Sequence, residues 1–112
     1  MLNELISVII VTAGKGNYFW SCLDSIEKQA YPSIEIAVID NSLNQEFSRI
    51  IIQHYPRLKV YVSQKNIFYC EAVNKGLKMA RGDFILCLND DVILDKRFVT
   101  SPPNLTVAPR TW

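Results

Sequence analysis

Four apolar segments alternate with segments of helical periodicity along this chain, and this alternation restricts the possible folds more than any other feature. Three of the segments are largely continuous apolar runs, and the remaining one alternates apolar with polar residues: 5–11, 34–39 and 84–88, then 58–62. Long runs rich in β-branched residues are typical of strands that are buried on both faces. The alternating segment predicts a more exposed strand, nearer a sheet edge. Strands separated by helices indicate a parallel sheet with right-handed crossovers.

Three amphipathic segments lie between the predicted strands. Asn17 is placed to cap the first helix, and Pro32 and Pro56 mark the ends of the first and second. Gly82 stands where a C′ glycine is expected after the third helix. Apolar residues recur at helical spacing and form one face of each helix: Phe19, Cys22, Leu23, Ile26 and Ala30; Phe47, Ile50, Ile51 and His54; Ala72, Val73, Gly76, Leu77 and Ala80.

The sequence therefore predicts an α/β domain with an open, mostly parallel sheet of about four strands in the order 3-2-1-4 and helices on both faces. Residues 1–99 form this domain. Residues 100–112 contain three prolines and no periodicity, so we expect an irregular C-terminal tail. In this strand order, strands 1 and 4 flank the point where the order reverses, and ligands of such sheets bind there.

Composition excludes several classes of protein. The chain has 112 residues, of which 49% are hydrophobic and 21% charged, as in an ordinary globular domain. Its net charge of +1 gives no electrostatic reason to expect nucleic acid as a partner. The sequence has no apolar stretch of about 20 residues and no basic n-region, so neither a transmembrane helix nor a signal peptide is expected. Three cysteines without metal-type spacing predict free thiols in a reduced, cytoplasmic core.

Three short polar loops follow strands 1, 2 and 4, so we expect them to meet at the carboxyl edge of the sheet. They are Thr12-Ala13-Gly14, Asp40-Asn41-Ser42 and Asn89-Asp90-Asp91. Small residues in the first loop let a ligand approach the backbone, and Asp40 or Asn41 is placed to bind a base or a ribose. In an extended segment, Asn89 and Asp91 point to the same side. Carboxylates at a strand end predict Mg²⁺ or Mn²⁺, with Asp91 as the metal ligand, and hence a phosphorylated substrate.

Other interpretations of these loops stay open. Asn89-Asp90-Asp91 also suits a plain turn, and Asp40-Asn41-Ser42 also suits an N-cap of the second helix. Gly14-Lys15-Gly16 does not continue into a dinucleotide fingerprint, because Phe19 stands at the third glycine position. A phosphoacceptor receiver domain requires a pair of acids after strand 1, and Thr12-Ala13 does not provide them.

In motif order and spacing, the chain resembles a family 2 glycosyltransferase of the GT-A fold over roughly residues 5–99. The segments that carry this resemblance are residues 7–12, 22–26, 29–32, 35–42, 72–76, 80–83 and 88–91. The resemblance implies a nucleotide-diphosphate sugar donor and a divalent metal. It implies that Thr12, Ala13, Asp40, Asn41, Asn89 and Asp90 bind the nucleotide, with Asn41 at the base-binding position, and that Asp91 binds the metal. Asp40-Asn41-Ser42 and Leu88-Asn89-Asp90-Asp91 are similar to a rhamnosyltransferase-like branch.

The chain departs from the family at several points. Ala13-Gly14-Lys15-Gly16 replaces the usual aromatic residue and asparagine, and Phe68 replaces a glycine. The family domain is longer, and its catalytic base lies downstream of Asp91. The resemblance thus implies the donor-binding half of an enzyme for inverting sugar transfer, inactive alone and with no catalytic residue assigned. Its acceptor would be a saccharide or a lipid-linked saccharide at the inner face of the membrane.

Two further expectations follow from the truncation that this resemblance implies. The alternative to an enzyme is a non-catalytic nucleotide-binding or assembly module of the same fold. Strand 4 would lack a partner strand, and Ile93, Leu94 and Phe98 beyond it would be exposed. We therefore expect a homo-oligomer that covers this edge.

Overall fold

The computed structural model describes residues 4–99 and 108–109, which form five strands and three helices. The strands are β1 (Ile6–Thr12), β2 (Ile34–Asp40), β3 (Lys59–Val62), β4 (Phe84–Asn89) and β5 (Ala108–Pro109); the helices are α1 (Tyr18–Glu27), α2 (Gln45–His54) and α3 (Tyr69–Met79). The predicted tail, residues 100–112, lies outside the described residues except for β5. These two residues pair antiparallel with Phe84 and Ile85, so this part of the tail belongs to the sheet. The expectation that strand 4 lacks a partner strand is therefore wrong at the start of β4.

The sheet has the order β3-β2-β1-β4-β5, and the first four strands are parallel, which confirms the predicted order 3-2-1-4. β3 lies at one edge, as its alternating pattern predicts. In the register, Thr12 lies beside Asp40, and Val11 lies beside Asn89. The carboxyl ends of β1, β2 and β4 are therefore level, and the loops that follow them start from one line.

Helices cover both faces of the sheet, as predicted. Val8 and Ile10 of β1 pack in one buried cluster with Phe19 of α1 and Ile51 of α2. Ile9, which points to the opposite face, packs in a second cluster with Ala72 of α3 and with Ala80, which directly follows that helix. β1 is thus buried on both faces, which explains why residues 6–10 are almost uniformly apolar.

The helix ends differ from the sequence-based expectation. Asn17 occupies the N-cap position of α1 but makes no capping bond with its side chain. Asn44 caps α2, since its Oδ1 accepts from the backbone N–H groups of Glu46 (3.0 Å) and Phe47 (3.2 Å). The alternative in which Asp40-Asn41-Ser42 caps α2 is therefore wrong. α1 ends at Glu27, so Ala30 lies beyond it and is exposed.

Gly82 is not a C′ glycine. Helix α3 ends at Met79, and its C-cap residue Ala80 is extended, with φ −73° and ψ 140°. A Cβ atom at Gly82 would lie 2.5 Å from the Ser7 hydroxyl, 2.7 Å from the Ser7 nitrogen and 2.9 Å from the Leu5 carbonyl. Glycine is required there because the segment before β4 runs against the start of β1.

Glu35 of β2 joins several neighbouring segments at the amino edge of the sheet. Its carboxylate accepts hydrogen bonds from the Ser7 hydroxyl and from the Arg81 N–H at 2.6 Å, and Lys59 lies 2.9 Å away. Burial acts to raise the pKa of Glu35, but these hydrogen bonds and the Lys59 charge outweigh it and hold the pKa below its usual value of 4.5.

We expect Glu35→Gln to lower the free energy of unfolding by about 1–3 kcal/mol near pH 7, because hydrogen bonds to a charged group are lost. A pKa that is lower in the folded state stabilises the fold above the unfolded pKa, and this stabilisation disappears as the pH falls through the folded pKa. The difference between the two proteins should therefore shrink in acid. Urea denaturation at several pH values measures it. An equal loss at every pH would contradict this explanation. Glu46→Gln, which removes one exposed ion pair with Arg49, is the control and should change little.

The remaining predictions about exposure are only partly right. Cys22 is buried, but Cys70 and Cys87 are exposed, so the three free thiols do not share a core. Ile93 and Phe98 are exposed, whereas Leu94 is buried and its N–H donates to the Ser25 hydroxyl. Within the described residues, no helix is long and apolar enough to cross a membrane. The expected homo-oligomer stays a prediction.

Candidate functional site

A cavity of about 330 Å³ opens at the carboxyl edge of the sheet. It brings together every predicted site residue except Asp40. Its lining is Val11, Thr12, Ala13, Asn41, Tyr69, Asn89, Asp90 and Asp91. These residues come together because β1, β2 and β4 end at the same level of the sheet. The three loops that follow these strands therefore enclose one space.

Asp40 does not line this cavity. It is fully buried, and its carboxylate accepts hydrogen bonds from the Ser48 hydroxyl of α2 and from the Ser42 N–H at 3.0 Å. Its backbone carbonyl accepts from Ser63 N–H at 2.9 Å. Asp40 therefore fixes the loop that carries Asn41 and ties that loop to α2.

The side chain of Asn41 connects the loop before α3 to the end of β2 through hydrogen bonds. Its Nδ2 donates to the Ile67 carbonyl (2.9 Å) and to Asn66 Oδ1 (3.0 Å), and its Oδ1 accepts from the Ile67 N–H (3.2 Å). Both amide protons are thus used inside the protein, while Oδ1 keeps one acceptor position free. Asn41 can therefore accept one hydrogen bond from a ligand in the cavity.

Thr12 joins the first loop to the end of β4. Its hydroxyl donates to Asp90 Oδ2 at 2.7 Å and accepts from the Gly14 N–H at 3.0 Å. Gly14 has φ +69°, and a Cβ atom there would lie 2.7 Å from the Cβ of Ser42. Glycine is required at this position both for its backbone angle and for the close approach of the second loop.

The Asn89-Asp90-Asp91 segment is not extended throughout. Asn89 is the last residue of β4, and Asp90 and Asp91 form a turn. The predicted alternation of Asn89 and Asp91 is therefore wrong as a geometric argument, although all three residues line the cavity. The Cys22 thiol donates to the Asn89 carbonyl at 3.7 Å. Burial raises the pKa of Cys22 to about 11, so this thiol stays protonated beneath the turn.

The carboxylates of the cavity suit a hard divalent cation. Asp91 is exposed, and its side chain accepts no hydrogen bond from any described residue. The described residues contain no group of three or more His, Cys, Asp or Glu that could hold a metal. Mg²⁺ and similar ions commonly use one or two carboxylates and complete their shell with water and substrate phosphates. Asp91, with Asp90 beside it, fits that pattern. The described residues do not fit a metal site in which the protein supplies all the ligands.

A larger cavity of about 530 Å³ lies between α2 and the end of β3, but it is not a candidate site for a divalent cation. Its lining is Leu43, Asn44, Gln45, Ser48, Arg49, Ile52, Gln53, Val62, Ser63 and Gln64. None of these residues is a carboxylate, so the cavity has no ligand that a hard cation prefers.

Tyr69 belongs to the cavity but was missed by reasoning from the sequence. It is the first residue of α3, and 52% of its surface is exposed. The available signal was its position, because the loop after β3 ends at the same sheet edge as the other loops. That signal was obscured by the long connection between Ser63 and Phe68.

Comparison with known proteins gives one consistent result. The sequence model described as "Glycosyl transferase family 2" matches residues 7–101. Glycosyltransferase GlyG of Streptococcus pneumoniae is 27% identical over 101 residues, which cover 88% of this chain and 34% of that protein.

Solved structures are similar over most of the chain. S. aureus TarS 1–349 superposes with a TM-score of 0.74 and 29% identity, covering 85% of this chain and 30% of that chain. TarS 1–349 is also known in complex with UDP and with UDP-GlcNAc. Mannosyltransferase PcManGT of Pyrobaculum calidifontis, in complex with GDP-Man and Mn²⁺, has a TM-score of 0.70 at 20% identity over 91% of this chain and 34% of that chain, a likeness of fold. The chain thus spans about a third of the length of these proteins.

Proposed function

We propose, from the premise that this chain belongs to glycosyl transferase family 2, that it binds a nucleotide-diphosphate sugar together with a divalent cation. One observation carries the proposal: three loops place Thr12, Asn41 and Asp91 around one cavity at the reversal point of strand order. The UDP and UDP-GlcNAc complexes of TarS, which is 29% identical, support a donor of this class.

Each part of the cavity has a role in holding the donor. The free acceptor position of Asn41 Oδ1 suits the imide N–H of a uracil or thymine base, and does not choose between them. Ala13 and Gly14 leave room for the ligand to approach the backbone. Asp91 would hold Mg²⁺ or Mn²⁺, with Asp90 oriented beside it by Thr12. The bound cation would supply Lewis-acid stabilisation of the charge on a departing diphosphate.

Sugar transfer also requires a base near the acceptor hydroxyl. Among the described residues of the cavity, the only carboxylates are Asp90 and Asp91, and both belong to the donor side. We therefore assign the described residues to donor binding. In the whole protein, inverting transfer to a saccharide or lipid-linked saccharide would use a base elsewhere. The rhamnosyltransferase-like branch stays part of this proposal, supported by the Asp40-Asn41-Ser42 and Leu88-Asn89-Asp90-Asp91 motifs.

The lack of a base among the described cavity residues also favours a second candidate, a non-catalytic nucleotide-binding module of the same fold. The two candidates differ in turnover. Release of UDP from UDP-GlcNAc by the chain, alone or with added saccharide acceptors, would support the enzyme and exclude the module.

The proposal is tested by calorimetric titration of the chain with UDP in the presence of Mn²⁺, in the presence of Mg²⁺, and with EDTA. We expect binding with either metal, weakened by about 100-fold or more in EDTA, because the diphosphate then faces the cavity carboxylates without a counter-charge. UDP binding that is equal with and without metal would remove the metal from the proposal. Absence of any UDP binding would contradict the proposal itself.

A further inference from the structure

We infer that Tyr69 stacks on the base of the bound nucleotide and is the main source of affinity for the nucleoside part of the donor. The inference rests on the proposed function, because it assigns a further residue to the same cavity. It starts from composition: among the described residues that line the cavity, Tyr69 is the one aromatic side chain. The other lining residues are small, aliphatic or polar and offer no ring to a planar base.

The position of Tyr69 places it at the base end of the cavity. Asn41, the residue with a free acceptor for the base, binds the backbone N–H and carbonyl of Ile67. Tyr69 follows two residues later, within about 7 Å of chain. Asp91, the candidate metal ligand, comes from the loop after β4. Tyr69 is therefore tethered directly to the Asn41 loop, and the diphosphate is expected on the Asp91 side.

The side chain of Tyr69 differs from those of three other tyrosines, which have partners among the described residues. The Tyr31 hydroxyl donates to the Glu4 carbonyl, the Tyr55 ring stacks on Trp20, and Lys75 lies 4.9 Å from the centre of the Tyr61 ring. Tyr69, by contrast, is 52% exposed, its ring makes no aromatic or cation–π contact with a described residue, and its hydroxyl forms no hydrogen bond with one. Core packing does not account for this residue, and a half-exposed ring in a cavity wall is available to a planar ligand.

Affinity measurements on variants test the inference. Base–aromatic stacking contributes about 1–3 kcal/mol, so Tyr69→Ala should weaken UDP binding in Mn²⁺ by roughly 5- to 150-fold. Tyr69→Phe keeps the ring and should stay within about 3-fold of the wild type. Phe68→Ala is the matched control, since Phe68 is 87% exposed and adjacent in sequence but does not line the cavity. It should leave UDP binding unchanged.

Inorganic pyrophosphate with Mn²⁺ is the second probe, because it contains the diphosphate without a base. Tyr69→Ala should leave pyrophosphate binding unchanged, and an equal loss for pyrophosphate and UDP would overturn the stacking role. Tyr69→Trp gives an independent signal, since UDP should quench the fluorescence of the introduced indole and pyrophosphate should not. If the wild type binds UDP and Tyr69→Ala binds it as tightly as Phe68→Ala does, the stacking role of Tyr69 is wrong but the proposed function is not affected. If the wild type binds neither UDP nor pyrophosphate, both the stacking role and the proposed function are wrong.

Discussion

Asp91→Ala is expected to weaken Mn²⁺-dependent binding of UDP by about 100-fold, which is among the largest effects on binding that we expect from a single substitution. Loss of a residue that only supports a metal ligand typically costs 10–100-fold in metal affinity, and loss of the ligand itself should reach at least the upper end of that range. The exposed, unpaired state of the Asp91 carboxylate means that its removal breaks no hydrogen bond within the described part of the protein. Stability should therefore be nearly unchanged.

The matched control is Asp24→Ala, which removes a carboxylate from the surface of α1. Asp24 is exposed and forms a surface ion pair with Lys28 at 2.9 Å, so its loss should affect neither UDP binding nor stability by much. Asp91→Asn removes the negative charge but keeps the size and shape of the side chain. We expect it to weaken UDP binding as much as Asp91→Ala does. Calorimetry with and without Mn²⁺ measures all three variants. Wild-type affinity in Asp91→Ala would contradict the assignment of this residue to the metal.

Gly82→Ala is expected to destabilise the fold by about 3 kcal/mol, the largest effect on stability that we expect from a single methyl group. The added Cβ atom would lie within 2.9 Å of the Ser7 nitrogen and of the Leu5 carbonyl, and these backbone atoms belong to β1 and the residue before it. Relief would require β1 and the segment before β4 to separate. A change of this size is a large part of a domain stability of about 5–15 kcal/mol.

Two variants identify the cause of this loss. Ser7→Ala combined with Gly82→Ala removes the hydroxyl at 2.5 Å but leaves both backbone atoms in place, so it should not restore stability. Gly16→Ala is the control for the effect of replacing a glycine that has no close backbone contact. Gly16 has φ +67°, but the nearest atoms, those of Tyr18, are 3.4 Å or more away, so we expect a loss of about 1 kcal/mol. Urea denaturation followed by circular dichroism compares the variants, and equal losses at Gly16 and Gly82 would exclude the backbone contact as the cause.

The arrangement of strands was predictable from the sequence because burial on both faces leaves a strong pattern. Residues 6–10 are apolar for that reason, and β3 alternates because it lies at the edge. The cavity was predictable for a related reason, since parallel strands bring their carboxyl ends to one edge. Strand order and the position of the cavity depend on whole segments of the chain, and the pattern of apolar residues identifies such segments.

Individual side chains were less predictable, because their directions depend on contacts between distant segments. Asp40 and Asn41 are neighbours in a polar loop, yet Asp40 binds Ser48 and Asn41 binds Ile67. Nothing in the loop itself tells which of the two turns inward. Gly82 has the position of a helix cap, and only the path of β1 shows why a side chain does not fit there.

The hydrogen bonds that shape the cavity connect one loop to another. Thr12 reaches Asp90, and Asn41 reaches Ile67. A ligand thus meets walls that are already positioned, so that little conformational entropy is lost on binding. The same connections make the loops energetically coupled, so substitutions at Thr12 and Asp90 should have effects that do not add. We therefore expect a sequence change in one of these loops to require a compensating change in the loop that it contacts.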